Sequence, residues 1–179
     1  MKRSIGLIEY RSIAKGIEAA DAVLKSGNVQ LVQGVTLCPG KYVAMITGEV
    51  GAVEAAIRVG REFDPATFIS SFVIPSVHDA VIPALTATTD SVPHDSLGVI
   101  ETADAASAIV AADEAAKSAQ IDLLEIRLAR GLGGKGVVYL CGALTAVQTA
   151  VKNGSLSAGE EGMLLAATVI AAPSPGLIY

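Results

Sequence analysis

Ser4-Ile5-Gly6-Leu7-Ile8-Glu9 is written a second time in this chain, as Ser96-Leu97-Gly98-Val99-Ile100-Glu101. The echo runs on. Ala19-Ala20-Asp21 with Lys25-Ser26 returns as Ala111-Ala112-Asp113 with Lys117-Ser118. At an offset of 92, 12 of the 28 residue pairs from Ser4 to Leu31 are identical. At an offset of 94, 7 of the 18 pairs from Gly40 to Ile57 are identical, including Gly40-Lys41 with Gly134-Lys135. The offset changes inside one short loop, which reads Leu37-Cys38-Pro39-Gly40-Lys41 in the first copy and Ala129-Arg130-Gly131-Leu132-Gly133-Gly134-Lys135 in the second. A period this long marks two copies of a whole domain rather than a solenoid array. The 179 residues therefore divide into domains at 1–90 and 91–179.

Each copy has the same order of elements. Ile5 to Tyr10 is a β-rich run. Ser12 can cap a helix on which Ile13, Ile17, Ala20 and Leu24 recur at helical spacing, ending near Ser26-Gly27-Asn28. Strands follow over Val29–Leu37 and Tyr42–Thr47, then a helix over Val50–Arg61 whose narrow apolar face is Val53, Ala56, Ile57 and Gly60. Phe68 to Ile74 is a fourth strand. The second copy reads as strand Leu97–Thr102, helix Asp104–Ser118, strands Asp122–Ala129 and Gly136–Cys141, helix Leu144–Asn153 and strand Met163–Ile170. A short helix near Val77–Leu85 and a Pro/Thr/Ser linker around Leu85 to Ser96 separate the copies. The order β-α-β-β-α-β is the ferredoxin-like arrangement, so the fold class is α+β with two such domains in tandem.

The composition is 51% hydrophobic, 4% aromatic and 17% charged, with a mean hydropathy of +0.53. That is more apolar and less charged than an ordinary soluble domain. No stretch reaches the ~20 apolar residues that span a bilayer. Two domains of this size bury a modest share of their own surface, so the surplus apolarity predicts extensive subunit contacts. A net charge of −5, with no basic run, argues against nucleic acid as a partner. Two cysteines in unlike contexts do not read as a disulfide framework, and a cytoplasmic, reducing setting fits.

Cys38 sits at a strand-to-strand turn where the copies diverge. It reads either as a half-buried free thiol or as a metal ligand, since thiolates are the usual ligands of iron–sulfur clusters. A symmetric oligomer could bring several copies of one such thiol together. Gly131-Leu132-Gly133-Gly134-Lys135-Gly136 is no phosphate loop, because glycine and a strand follow the lysine where a Ser or Thr and a helix are needed. Cys141 reads as a core side chain, and His78 and His94 fall on Pro-bounded loops. Glu9 and Glu101 recur at matching positions, which predicts a structural ion pair or hydrogen bond. Lys25 and Lys117 close the first helix of each copy, either as favourable charge at a helix C-terminus or as an edge contact to another oligomer. No catalytic constellation recurs, so the chain does not read as an enzyme.

Gly-Leu-Ile-Glu on the first strand, Ala19-Ala20-Asp21-Ala22-Val23-Leu24-Lys25-Ser26-Gly27-Asn28-Val29, and Gly48-Glu49-Val50-Gly51-Ala52-Val53-Glu54-Ala55-Ala56 together resemble the bacterial microcompartment shell domain. Two copies in one chain resemble the tandem-domain shell proteins, and Thr36-Leu37-Cys38-Pro39-Gly40-Lys41 is similar to the pore loop of their iron–sulfur type. The resemblance covers about residues 4 to 172. It implies a homotrimer that mimics a hexamer and tiles with other shell proteins around encapsulated enzymes. Around its central pore, Cys38, Pro39 and Gly40 would alternate with Arg130, Gly131, Leu132, Gly133 and Gly134. It implies one [4Fe–4S] cluster per trimer, with Cys38 of each subunit as its protein ligand. Electrons could cross the shell there, to an encapsulated redox enzyme or cofactor. Lys25 and Lys117 match lysines that the family places at lattice edges. The family's Pro-Arg-Pro-His segment is replaced by Pro75-Ser76-Val77-His78 and Ala172-Pro173-Ser174-Pro175, which departs from the usual edge contacts.

Two other readings stay open at this level. One is a shell trimer without a cluster, whose pore passes metabolites. The other is a tandem ferredoxin-like regulatory module that binds a small molecule.

Overall fold

A computed structural model describes residues 3–129, 131–160 and 162–177. In chain order the elements are β1 (Ser4–Tyr10), α1 (Ile13–Lys25), β2 (Val29–Leu37), β3 (Lys41–Gly48), α2 (Val50–Phe63), β4 (Phe68–Ile74), α3 (Val81–Thr86), β5 (Ser96–Thr102), α4 (Ala105–Ser118), β6 (Asp122–Leu128), β7 (Gly136–Gly142), α5 (Leu144–Glu160) and β8 (Leu164–Ile170). The chain forms two compact units, divided between Val77 and His78. The segment carrying α3 belongs to the second unit, where Val81, Ala84 and Leu85 are buried and the Thr89 hydroxyl donates to the carbonyl of Leu123.

In the first unit the sheet order is β2-β3-β1-β4, all antiparallel, and in the second it is β6-β7-β5-β8. This is the α+β, ferredoxin-like arrangement that the order of elements implies. The copies agree down to their irregularities. β2 shifts register between Leu31 and Gln33, and β6 between Leu123 and Glu125. β1 shifts against β4 at Glu9/Tyr10, and β5 against β8 at Glu101/Thr102. Such bulges recur at the same place because each redirects the strand that follows.

Two helix starts are written in the sequence. Ser12 accepts from the backbone N–H of Lys15, and the Asp104 carboxylate accepts from that of Ser107 at 2.7 Å. Both are side-chain N-caps, each worth roughly 1 kcal/mol. α2 buries Val53, Ala56, Ile57 and Gly60, the face its spacing predicts.

α1 does not use its predicted face throughout. It buries Gly16, Ala19, Ala20 and Val23, while Ile13 and Ile17 stay 41% and 52% exposed. The small residues let the helix lie close to the sheet: a Cβ on Gly16 would sit 2.6 Å from Tyr42 Cδ1. α5 runs on to Glu160, past its expected end at Asn153. Gly154 is buried inside the helix, where a Cβ would stand 2.6 Å from the carbonyl oxygen of Ala111 on α4. The glycine is there for close helix packing, not for a turn.

The first core gathers Ile8, Tyr10, Ala19, Val23, Ile46, Val53 and Ile57 between helices and sheet. Tyr10 is fully buried, meets Phe68 edge-on at 5.8 Å, and donates its hydroxyl to the carbonyl of Gly60. Such a buried phenol needs a partner for its O–H. Among the described residues, no helix is long and apolar enough to cross a membrane.

Candidate functional site: the two hairpin loops

The hairpins β2–β3 and β6–β7 are held alike at their feet and differ at their tips. In the first unit Leu37 pairs with Lys41, leaving Cys38, Pro39 and Gly40 as the tip. In the second, the N–H of Ala129 donates to the carbonyl of Lys135 at 2.8 Å, leaving 130–134 as the tip. The second tip is thus two residues longer, and the 92-to-94 change of offset is confined to it.

The short tip is a tight turn in which the N–H of Gly40 donates to the carbonyl of Leu37 at 2.8 Å. Gly40 has φ +99°, a conformation open to glycine and strained for other residues. The Cys38–Pro39 peptide bond is cis. Cys38 is half-buried, Pro39 and Gly40 are exposed, and a Cβ on Gly40 would meet no atom within 4 Å. The thiol therefore stands on a small, open-sided loop. In the longer tip, Gly131, Gly133 and Gly134 have φ of +73°, +64° and +97°. Gly131 and Gly133 are exposed, and Leu132 and Gly134 half-buried. Arg130 lies outside the described residues.

Each foot is braced by an ion pair to the first strand of its own sheet. Lys41 Nζ lies 3.0 Å from Glu9 Oε1, whose other oxygen accepts from Ser70 Oγ at 2.9 Å. Lys135 Nζ lies 2.7 Å from Glu101 Oε1. The recurring glutamates thus hold the recurring lysines, which is the structural role their repetition predicts.

Lys25 and Lys117 end α1 and α4 at equivalent places but in unlike surroundings. Lys25 is 74% exposed and pairs with Asp21 at 2.5 Å, itself 61% exposed. Lys117 pairs with Asp113 at the same distance, but that carboxylate is buried and also accepts from the backbone N–H of His78 at 2.7 Å. The role of Asp113 leaves no mark in the sequence beyond its repeat.

Cys141 lies in the second core beside Leu97 and Leu124, as a core side chain should. Its sulfur also lies 3.3 Å from His94 Nδ1, a contact that the spacing of the two residues does not announce. Burial pushes its thiol pKa up, and a hydrogen bond from the backbone of His94 pulls it back in part.

The fold is one that known proteins share. The BMC domain profile matches residues 4–77 and again 96–173. The bacterial microcompartment shell protein PduT of Citrobacter freundii is 40% identical over 173 residues, covering 97% of this chain and 94% of that one. The carboxysome shell protein CsoS1A of Hydrogenovibrio crunogenus is 35% identical over 86 residues, covering 46% of this chain and 90% of its own length. The crystal structure of a microcompartments protein from Desulfitobacterium hafniense DCB superposes with a TM-score of 0.94 at 44% identity, covering 97% of both chains.

The chain belongs to the BMC domain family, with two copies of that domain in tandem. It is a microcompartment shell protein, structural rather than enzymatic, and similar along nearly its whole length to the PduT shell protein.

Proposed function

We propose that three copies of this chain close into a ring of six BMC domains, tiled with other shell proteins, and that the ring's centre holds one [4Fe–4S] cluster on the three Cys38 thiolates. The observation that carries this is the unequal pair of hairpin tips. Only the first carries a thiol, so three chains supply three thiolates where six equal loops would supply six. Threefold symmetry creates the ligand set that one chain lacks.

The residues fit such a group. Cys38 is half-buried on an open-sided tip, and Gly40 leaves room for bulk beside it. The Glu9–Lys41 pair steadies the foot of the tip without standing in its way. Pro39 narrows the loop's freedom, which reduces the cost of ordering three tips against one another. Bound there, a cluster supplies one-electron redox chemistry at the shell, with a potential set by hydrogen bonds and exposure. Electrons passed across the shell would serve an encapsulated redox enzyme or cofactor. Lys25, exposed at the end of its helix, is available as an edge contact between neighbouring rings; Lys117 is engaged with a buried carboxylate and is the less free of the two.

Anaerobic purification of the wild type and of Cys38→Ser tests the reading. A brown protein with broad visible absorption and one cluster per three chains of 18.1 kDa is expected, with the colour absent in the variant. A colourless wild type after anaerobic reconstitution sinks the cluster and leaves the shell role standing.

A further inference from the structure

A second group of metal-ligating side chains lies in the second unit, and neither the shell role nor the Cys38 tip uses it. Three separate segments build it. Cys141 comes from the end of β7, Asp122 opens β6, and His94 sits two residues before β5. The β6–β7 register places Asp122 directly opposite Cys141, and the β5–β7 register places Leu97 on the other side. His94 then folds over the sulfur. Cys141 Sγ lies 3.3 Å from His94 Nδ1, and His94 Nε2 lies 3.8 Å from Asp122 Oδ2. One sulfur, one ring nitrogen and one carboxylate oxygen all fall within 4.8 Å of one another. Among the described residues this is the one such cluster of three.

The donor set and its spacing suit a borderline-soft divalent cation. Zinc–sulfur bonds of ~2.3 Å and zinc–nitrogen or zinc–oxygen bonds of ~2.0–2.2 Å, set at tetrahedral angles, hold the donor atoms roughly 3.3–3.6 Å apart. The 3.3 Å between Cys141 Sγ and His94 Nδ1 falls in that range and makes Nδ1 the ligating nitrogen, while the half-exposed Asp122 carboxylate, within 4.8 Å of its partners, has only to turn inward to complete the set. Without a metal, the carbonyl oxygen of Val92 accepts from the Cys141 thiol at 3.6 Å and lies 3.1 Å from His94 Nδ1, contacts that give way when sulfur and nitrogen turn their lone pairs to an ion. A cavity of about 450 Å³ opens beside the cluster, lined by His94 and Cys141 with Pro93, Leu97, Pro173 and Leu177. It gives a fourth ligand, such as water, a place to stand.

The first copy shows that the fold itself does not require this group. Thr47 occupies the place of Cys141 and spends its hydroxyl on the carbonyl of Ser4 at 2.9 Å, and Gln30 occupies the place of Asp122. A core side chain alone would need neither the histidine nor the carboxylate.

The geometry points to a divalent transition-metal site of the zinc class held by Cys141, His94 and Asp122, with its fourth position facing the cavity. The metal replaces the proton on the Cys141 sulfur, and that proton leaves to solvent; no electron is transferred. The bound ion clips the segment before β5 to the edge strand β6 and to β7, so it stabilises the second unit by mass action.

The test uses the full chain carrying Cys38→Ser, which removes the cluster thiol and leaves Cys141 as the sole cysteine. Cobalt(II) is added anaerobically and then displaced by zinc. The expected result is one cobalt per chain, a near-ultraviolet thiolate-to-cobalt band, the visible bands of four-coordinate cobalt, and a rise in melting temperature with zinc. His94→Gln and Asp122→Asn alter half-exposed side chains and leave the fold intact by circular dichroism. Each should weaken binding at least ~10-fold, the least that loss of even an outer-shell partner costs. No thiolate band, or a band of unchanged affinity in both variants, overturns the site. A stoichiometry of one metal per three chains also overturns it, since the three ligands lie within one chain.

Discussion

Lys135 Nζ lies 2.7 Å from Glu101 Oε1, bracing the foot of the five-residue tip against the first strand of its sheet. The three-residue tip has the same brace, Lys41 to Glu9 at 3.0 Å. A two-residue insertion therefore changes the end of the hairpin and leaves its base alone. The duplication keeps a common frame and lets the tips diverge, which allows one copy to carry a thiol and the other a glycine-rich turn.

Because Lys135 is about half exposed, this brace positions more than it stabilises. A double-mutant cycle on Lys135→Ala and Glu101→Ala should give a coupling of about 0.2–1 kcal/mol, shrinking with added salt. Denaturant melts of the four proteins measure it. A coupling above roughly 2 kcal/mol would show that the pair is far less solvated than its exposure implies.

The matched aspartates should behave unequally. Asp21 is exposed and holds only Lys25, so Asp21→Ala should change stability by no more than about 0.5 kcal/mol. Asp113 is buried and accepts from both Lys117 and the His78 N–H. Asp113→Ala leaves that N–H without its partner and should cost about 1–3 kcal/mol, even with the lysine partly solvated. Equal urea midpoints for the two variants would contradict this account.

Much of the fold was legible because each copy confirms the other. The strand boundaries and the α2 face follow from periodicity, and a second writing of the same pattern removes most chance matches. α1 departs from its expected face for a physical reason. Ile13 and Ile17 draw the eye to a bulky stripe, but the helix approaches its sheet along Gly16, Ala19 and Ala20, where there is little side chain to keep it away. α5 continues past its expected end because Gly154, a poor helix former, is held inside the helix by close packing against α4. At the tips, Cys38 stood out since the offset changes beside it. The Cys141–His94–Asp122 group did not, because strand register assembles it: Cys141 and His94 are 47 residues apart in sequence. The first copy offers no repeat of the group to give it away.

Two glycines in α5 should respond to alanine with opposite signs. At Gly154 the new Cβ would lie 2.6 Å from backbone Ala111 and 2.8 Å from Ile100 Cδ1, so α4 and α5 must move apart. Overpacking of this kind costs about 1–3 kcal/mol. Gly159 is exposed, with nothing within 4 Å of its Cβ position. Gly159→Ala should gain about 0.5 kcal/mol, since glycine is the poorer helix former. Thermal melts of both variants decide the matter. Destabilisation by Gly159→Ala equal to that of Gly154→Ala would show that helix interior position, rather than contact with α4, sets the cost.

Stability should fall on the alkaline side partly through buried tyrosines. Burial raises the pKa of Tyr10 and of Tyr42 above the ordinary phenol value of 10.0. In the unfolded chain both ionise near about 10, while in the folded chain they still hold their protons. Just above that pH the unfolded state binds fewer protons, so unfolding becomes easier as pH rises. The contribution is complete below about 10 and is lost as pH climbs through the folded values. The informative quantity is a difference between proteins, which isolates the two phenols. Tyr10→Phe combined with Tyr42→Phe lacks both groups. It should start less stable at pH 8, since the Gly60 carbonyl loses its hydroxyl partner. Its urea midpoint should then decline less steeply between pH 9 and 11 than that of the wild type. Parallel declines would mean that neither phenol is more reluctant to ionise in the folded chain than in the unfolded one.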